Sequence, residues 1–276
     1  MNDAQVALDE AGDALKASLD LAGDVLAVAE AMDAQYQLRR SLSEPNAAPE
    51  QMAHLVDTLL GPLVSPSTVF LIRAAVAQSW PSANALAFAV RDEAVRVTWR
   101  ASISNRTVET TRRQVLSLMQ AATVDAGLST AIGDTSRSLD DRQALVASLV
   151  EDAKPAVVLL TRSAVADQRD GFVANLSRYL DCLAQLRGRL RARVTTAVAM
   201  TTAQASAMQT QLSRIYGAPI DMEPVVSSGV VGGVRVDVGG DVIDGSIKAR
   251  LDAAREQLTG VRIEAAQAAS EDGRHA

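Results

Sequence analysis

Cysteine is almost missing from this sequence. Cys182 is the only one in 276 residues, so no internal disulfide is available, and the chain suits a reducing compartment. Aromatics are 3% of the residues, and the only histidines are His54 and His275. Few aromatics means few platforms for stacked bases, and a net charge of −6 opposes general affinity for nucleic acid or anionic lipid. Two isolated histidines and one thiol supply neither a metal cluster nor a nucleophile paired with a base. His54 adjoins Leu55 on an expected helix surface, and His275 falls in the tail. Cys182, between Leu180 and Leu183, is a small helix-packing residue. The chain contains no G-x-G-x-x-G and no glycine loop followed by Lys-Ser/Thr, so a nucleotide site is not expected. Long apolar runs are absent too. None reaches the roughly 18 residues that a membrane span needs. The uncharged stretch 195–213 is filled with Thr, Gln and Ser. Asp3, Asp9 and Glu10 make the first ten residues unlike a secretory signal.

What the chain has is Ala, Val and Leu, the composition of packed helices. Leu8, Leu15, Leu19, Ala22 and Leu26 recur at helical spacing and predict one long amphipathic helix over about residues 3–34. Pro45 and Pro49 mark a turn. Met52, Leu55, Val56, Leu59 and Leu60 form the next helix, ended by Gly61-Pro62. A third helix follows Pro66, and a fourth runs from about Ala83 through Val97.

The pattern then repeats. Val25-Leu26, Ala31 and Leu38 match Val115-Leu116, Ala121 and Leu128 at an offset of 90; Leu55, Val56 and Leu59 match Leu145, Val146 and Leu149 at the same offset. Pro66, Val69, Leu71, Arg73, Ala75 and Val76 match Pro155, Val158, Leu160, Arg162, Ala164 and Val165 at an offset of 89. One loop deletion accounts for the slip. The expected organisation is a helical bundle at 1–104, a second related bundle at 105–192, a small α/β domain at 193–262 and a flexible tail at 263–276. A helix from Phe172 to about Arg193 would lead into the last domain and fan Arg187, Arg189, Arg191 and Arg193 around its surface. Those arginines read as a solvated face, with contact to an acidic partner segment as the alternative.

In the last domain Val194, Thr196, Val198 and Met200 alternate as a strand. Thr201 or Thr202 can cap the next helix, whose stripe is Ala205, Met208, Leu212 and Ile215, with Gly217 and Pro219 as its stop. Residues 220–226 form a second strand, where Pro224 demands an edge or an end. Val234, Val236 and Val238 alternate as a third strand, Gly239-Gly240 turns, and Val242-Ile243 returns. Asp244-Gly245-Ser246 offers caps for a last helix carrying Ile247, Leu251, Ala254 and Leu258. The fold class is mainly α: two tandem helical bundles, then a small mixed sheet in β-α-β-β-α order. Asp221, Glu223, Asp237, Asp241 and Asp244 could furnish a carboxylate pair, but alternation and turn placement put most of them in solvent.

The run Gly232-Gly233-Val234-Arg235-Val236, then Gly239, then Val242-Ile243-Asp244-Gly245-Ser246, resembles the C-terminal signature of the F-type ATP synthase delta subunit family, whose mitochondrial member is called OSCP. Val194-Thr195-Thr196-Ala197 is similar to a second family segment. An Asp-Pro pair usual ahead of the double glycine stands here as Ser227-Ser228. The family has one N-terminal bundle, so the second bundle here occupies its position. The first is an added copy of a kind associated with some actinobacterial delta subunits. The resemblance implies a non-catalytic stator subunit of the peripheral stalk, tying the catalytic head to the b stalk. It implies alpha-subunit N-terminal segments and the b subunit as partners, no cofactor or metal, and no active site. It also implies a peripheral place on the cytoplasmic face of the plasma membrane. Gly232, Gly233, Gly239, Asp244, Gly245 and Ser246 are then structural motif residues. A helical adaptor of some other complex is the alternative from composition alone.

Overall fold

The computed structural model describes residues 3–44, 48–227, 230, 232–239 and 241–247. The chain divides into two compact units, Met1–Leu186 and Arg187–Ala276.

The first unit is helical: α1 (Asp3–Asp13), α2 (Leu19–Ala34), α3 (Tyr36–Ser41), α4 (Pro49–Leu60), α5 (Pro66–Val76), α6 (Ala83–Ser104), α7 (Val108–Val124), α8 (Ala126–Gly133), α9 (Leu139–Leu149), α10 (Pro155–Ala166) and α11 (Phe172–Leu186). Local chemistry sets many of the boundaries. Ser18, Ser65, Ser82, Asp125 and Ser138 each accept a backbone N–H as N-caps, and Pro49, Pro66 and Pro155 open helices where a missing N–H costs nothing. The single helix expected over 3–34 is two. Ser18 caps α2, and the Arg100 guanidinium binds the carbonyls of Gly12, Asp13 and Leu15 where the chain leaves α1.

Two apolar cores lie within this unit. One gathers Leu8, Val25, Leu26, Met32, Val56, Leu71, Ile72, Leu86 and Val90. The other gathers Trp99, Val115, Ile132, Val146, Leu160, Leu176, Tyr179 and Leu183. Each fully buried aliphatic or aromatic side chain contributes about 1.5–3 kcal/mol of transfer free energy, which makes these clusters the main source of stability. Helix α6 serves both: Ala89, Val90, Ala94 and Val97 face the first core, Val95 and Trp99 the second. It has 22 residues where α11, its counterpart by offset, has 15.

Among the described residues the second unit is a four-stranded sheet with one helix: β1 (Leu190–Thr196), α12 (Thr202–Tyr216), β2 (Ile220–Val226), β3 (Val234–Val238) and β4 (Asp241–Asp244). The strand order is β2-β1-β3-β4. Strands β1 and β2 are parallel, joined through α12, and the other pairs are antiparallel. Ala192, Val194, Ile220, Val236 and Val238 form the apolar face with Leu212 of α12, and Met208 and Tyr216 pack at its margin. Thr201 and Gln204 make a reciprocal capping box at the start of α12, and Gly217 ends it with a φ of +65°. Pro224 lies on the edge strand β2, where its missing donor is tolerated.

Three expectations need correction here. The helix through Arg193 stops at Leu186; Gly188, at φ +60°, breaks the chain and β1 begins at Leu190. The strand therefore lies earlier than expected, and Val198 is exposed beyond its end. Ile215 is exposed as well, and Tyr216 takes its place against the sheet. The final helix expected over Leu251, Ala254 and Leu258, the tail and His275 lie outside the described residues.

Candidate interaction surfaces

The signature glycines close one corner of the sheet unit. Gly232 and Gly233 have φ of +73° and +84°, conformations that side chains resist. A methyl at Gly233 would stand 2.5 Å from the Gly245 oxygen and 2.8 Å from the Ser246 Cα, and one at Gly232 would press on Ile247. Gly245 N–H donates to the Val234 oxygen, Ile247 N–H to the Gly232 oxygen, and Ser246 N–H to Asp244 Oδ1 at 2.9 Å. Gly239, at φ +57°, turns β3 toward β4. Five of the six motif residues thus form one clasp where the start of β3 meets the end of β4, and Gly239 stands at the opposite end of that hairpin.

The arginines of the domain junction do not fan out. Arg191 and Arg193 alternate with buried Ala192 and Val194 on β1, so both occupy the sheet face opposite the apolar core. Their parallel neighbours on β2 are Asp221 and Glu223. Arg189 Nη1 reaches Asp221 Oδ1 at 2.7 Å, Arg187 Nη1 reaches its other oxygen at 3.4 Å, and Arg191 Nε donates to Glu223 Oε2 at 2.9 Å. Most of the five carboxylates of this unit are expected in solvent, and Asp221 and Glu223 are the two that are buried. Each is only 8% exposed, because the arginines cover them. Asp241 and Asp244 are exposed and Asp237 is half-buried. Asp221 and Glu223, the buried carboxylates among the described residues of the sheet unit, are both matched by guanidinium, an arrangement that fixes a surface rather than freeing a general base.

His54 is exposed on α4. Burial pushes the Cys182 thiol up to about 12, far from a reactive thiolate. Among the described residues no three His, Cys, Asp or Glu side chains gather as metal ligands would. Among them, too, no single helix is long and apolar enough to cross a membrane.

Apolar side chains do reach solvent. On the first bundle these include Leu59 of α4, Leu63 in the turn after it and Phe70 of α5; on the second, Val124 at the end of α7, Leu149 of α9 and Val158 of α10. A cavity of about 220 Å³ opens between α9 and α10, lined by Gln143, Ala144, Ala147, Val158, Thr161 and Arg162. On the sheet unit, Val226, Val242, Ile243 and Ile247 are about half exposed. Exposed large apolar groups in neighbouring helices are the kind of surface that binds an amphipathic segment.

The bundles themselves are joined by buried polar contacts. Arg91 of α6, 1% exposed, pairs with Asp33 of α2 and donates to the Ser163 oxygen of α10. Trp99 Nε1 donates to the Tyr179 oxygen at 2.8 Å. Arg169 binds Asp92 and Asp167, while Asp167 also takes Arg178 and the Tyr179 hydroxyl. Although burial opposes its charge, these arginines hold the Asp167 carboxyl below the usual carboxylate range. Sequence patterning alone missed this network. Its signal was the run of charges inside α6, where a bundle helix should be apolar.

Residues 99–258 match the family described as ATP synthase delta (OSCP) subunit. The chain is 33% identical over 252 residues to the "ATP synthase subunit delta" of Cutibacterium acnes, covering 91% of this chain and 96% of that one. It is 32% identical over 241 residues to the protein of the same name from Nocardioides sp., covering 87% of each. A chain of the Toxoplasma gondii mitochondrial ATP synthase hexamer overlaps at a TM-score of 0.39 and 15% identity, over 61% of this chain and 97% of that one.

Proposed function

The chain belongs to the ATP synthase delta (OSCP) subunit family, and from that premise we propose how it does its work. It is a peripheral-stalk subunit of the F-type synthase, part of the stator that holds the catalytic head against the torque of the rotor. The observation that carries this reading is the family match across 99–258, which takes in α7–α11 and the whole described sheet unit.

In this reading the helical unit receives N-terminal segments of alpha subunits, the sheet unit engages the end of the b subunit, and the protein has no active site of its own. It is held peripherally at the cytoplasmic face of the membrane through the complex. Packed apolar and arginine-rich surfaces suit that task, because a stator joint has to persist under load and needs no group that changes protonation. Residues 1–104 and 105–186 are two copies of one bundle, with the sheet unit that begins at Arg187 as the stalk-binding domain. The helix starts support the duplication: α2 and α7 begin 89 residues apart, α3 and α8 90, α4 and α9 90, α5 and α10 89, and α6 and α11 89. So does an equivalent bond. Asp24 of α2 accepts the Ser65 N–H before α5, and Gln114 of α7 accepts the Lys154 N–H before α10.

The test is retention of the matching alpha and b subunits by the purified full chain at micromolar concentration and low salt. Capture of neither overturns the reading. Charged substitutions then separate the copies. Leu149→Asp with Val158→Asp is expected to weaken alpha capture at least tenfold if the second bundle is the family-equivalent one, with Leu59→Asp and Phe70→Asp as the comparison in the first.

A further inference from the structure

The contact between α1 and α6 contains a carboxyl group with nothing to bond. Glu93 of α6 is 1% exposed, and neither side-chain oxygen has a hydrogen-bond partner. It lies against Gly12 of α1, so closely that a methyl on Gly12 would collide with Glu93 Oε1. The nearest cation is Arg96, whose Nε is 3.8 Å from Glu93 Oε2. That guanidinium is already engaged by two carboxylates of α1, Asp9 at 3.5 Å and Asp13 at 3.0 Å. Arg100 adds a second cation and is drawn to Asp13 and to the last carbonyls of α1. From α11, Cys182 is the titratable group that senses this cluster, and its thiol is too weak an acid to ionise below pH 9. Two guanidiniums therefore face two α1 carboxylates, and the cluster is neutral only while Glu93 carries a proton.

We propose that the seating of α1 on the bundle is proton-dependent: α1 docks with Glu93 protonated and comes away as that carboxyl ionises. Burial, with the Asp9 charge beside it, holds the Glu93 carboxyl well above the usual carboxylate range while α1 is in place. Once α1 lifts off, water reaches the group and its affinity for the proton falls to an ordinary value. The docked state thus binds more protons than the open one, so docking is strongest in acid and weakens as pH rises. Leu8 and Ala4 are the apolar side chains that α1 withdraws from the bundle on leaving. The inference does not depend on the stator reading.

Hydrogen exchange of the full chain between pH 5 and 9 tests it. Protection of the Leu8, Ala11 and Gly12 amides is compared with that of Val25 and Val28 in α2 of the same molecule, which cancels the intrinsic pH dependence. The opening constant of α1 is expected to rise about tenfold per pH unit between the ordinary carboxylate value and the docked one, then level off. Glu93→Gln should remove the slope, and Cys182→Ser should leave it intact. A flat wild-type ratio, an unchanged slope in Glu93→Gln, or loss of the slope in Cys182→Ser overturns the proposal. Should Glu93→Gln fail to fold, the side-chain carboxyl carbon of Glu93 is titrated in the wild-type protein by NMR. A midpoint well above about 4.3 sustains the proposal, and a midpoint at that value overturns it.

Discussion

The two halves of the helical unit solve one packing problem with different edges. Interior positions correspond: Val25 with Val115, Val56 with Val146, Leu71 with Leu160 and Ala75 with Ala164 are all buried. Their shared arginine does not behave alike. Arg73 on α5 pairs across its own bundle with Asp57 of α4. Its counterpart, Arg162 on α10, finds Ala147 where Asp57 would be, and reaches out of its bundle to Glu30 of α2, which also receives Gln143. The α9–α10 cavity lies where that inward pair is missing. Interiors of related bundles thus keep their volume, because close packing punishes change, while half-exposed charges are free to choose new partners.

Substitutions can break this comparison, beginning with the largest effect. Trp99→Ala should cost about 4 kcal/mol by emptying the second core and removing the indole bond to the Tyr179 carbonyl, read as a drop in the urea midpoint. If α1 is to the first bundle what the C-terminal part of α6 is to the second, Leu8→Ala should cost about 3 kcal/mol in the same assay. A loss under 1 kcal/mol would show that the first bundle closes without α1.

Arg91→Ala tests the joint between the halves. It should cost about 2 kcal/mol, below the roughly 3–5 kcal/mol of a fully buried broken pair, because Asp33 keeps some access to water. The equivalent turn bonds should differ in a defined direction. Asp24→Ala loses a charged acceptor for both Ser65 N–H and the buried Thr68 hydroxyl, about 1.5 kcal/mol, whereas Gln114→Ala loses one neutral bond, about 1 kcal/mol or less. Smallest are Arg73→Ala and Arg162→Ala. Both arginines are nearly half exposed, and a double-mutant cycle with Asp57 or Glu30 should give less than 1 kcal/mol for either pair.

Much of this was legible in the residues. Period-3.6 spacing and prolines at helix starts placed most helices, and the 89–90 offset read in the residues recurs in the helix starts, because both are local or self-referential signals. The β-α-β-β order followed from alternation and turn glycines in the same way. The break between α1 and α2 was not legible, since Arg100, more than eighty residues away, completes it. The arginine strand was misread despite a usable signal. Arg189, Arg191 and Arg193 alternate with Leu190, Ala192 and Val194, a period of two, and Gly188 stands just ahead. The motif glycines were found by pattern, but their clasp around residues 244–247 needed coordinates. So did Glu93, which as a letter in a helix looks like any solvent-facing acid.

One unbroken helix, α6, runs through both hydrophobic interiors. Each residue of a helix advances it about 1.5 Å and rotates it about 100°. Adding or deleting a single residue between Val90 and Trp99 would therefore swing one bundle a quarter-turn or more around the other. The angle between the two bundles is written in the count of residues along one rod: each residue added or removed re-aims them by about 100°, and only steps close to whole helical turns leave that angle as it was.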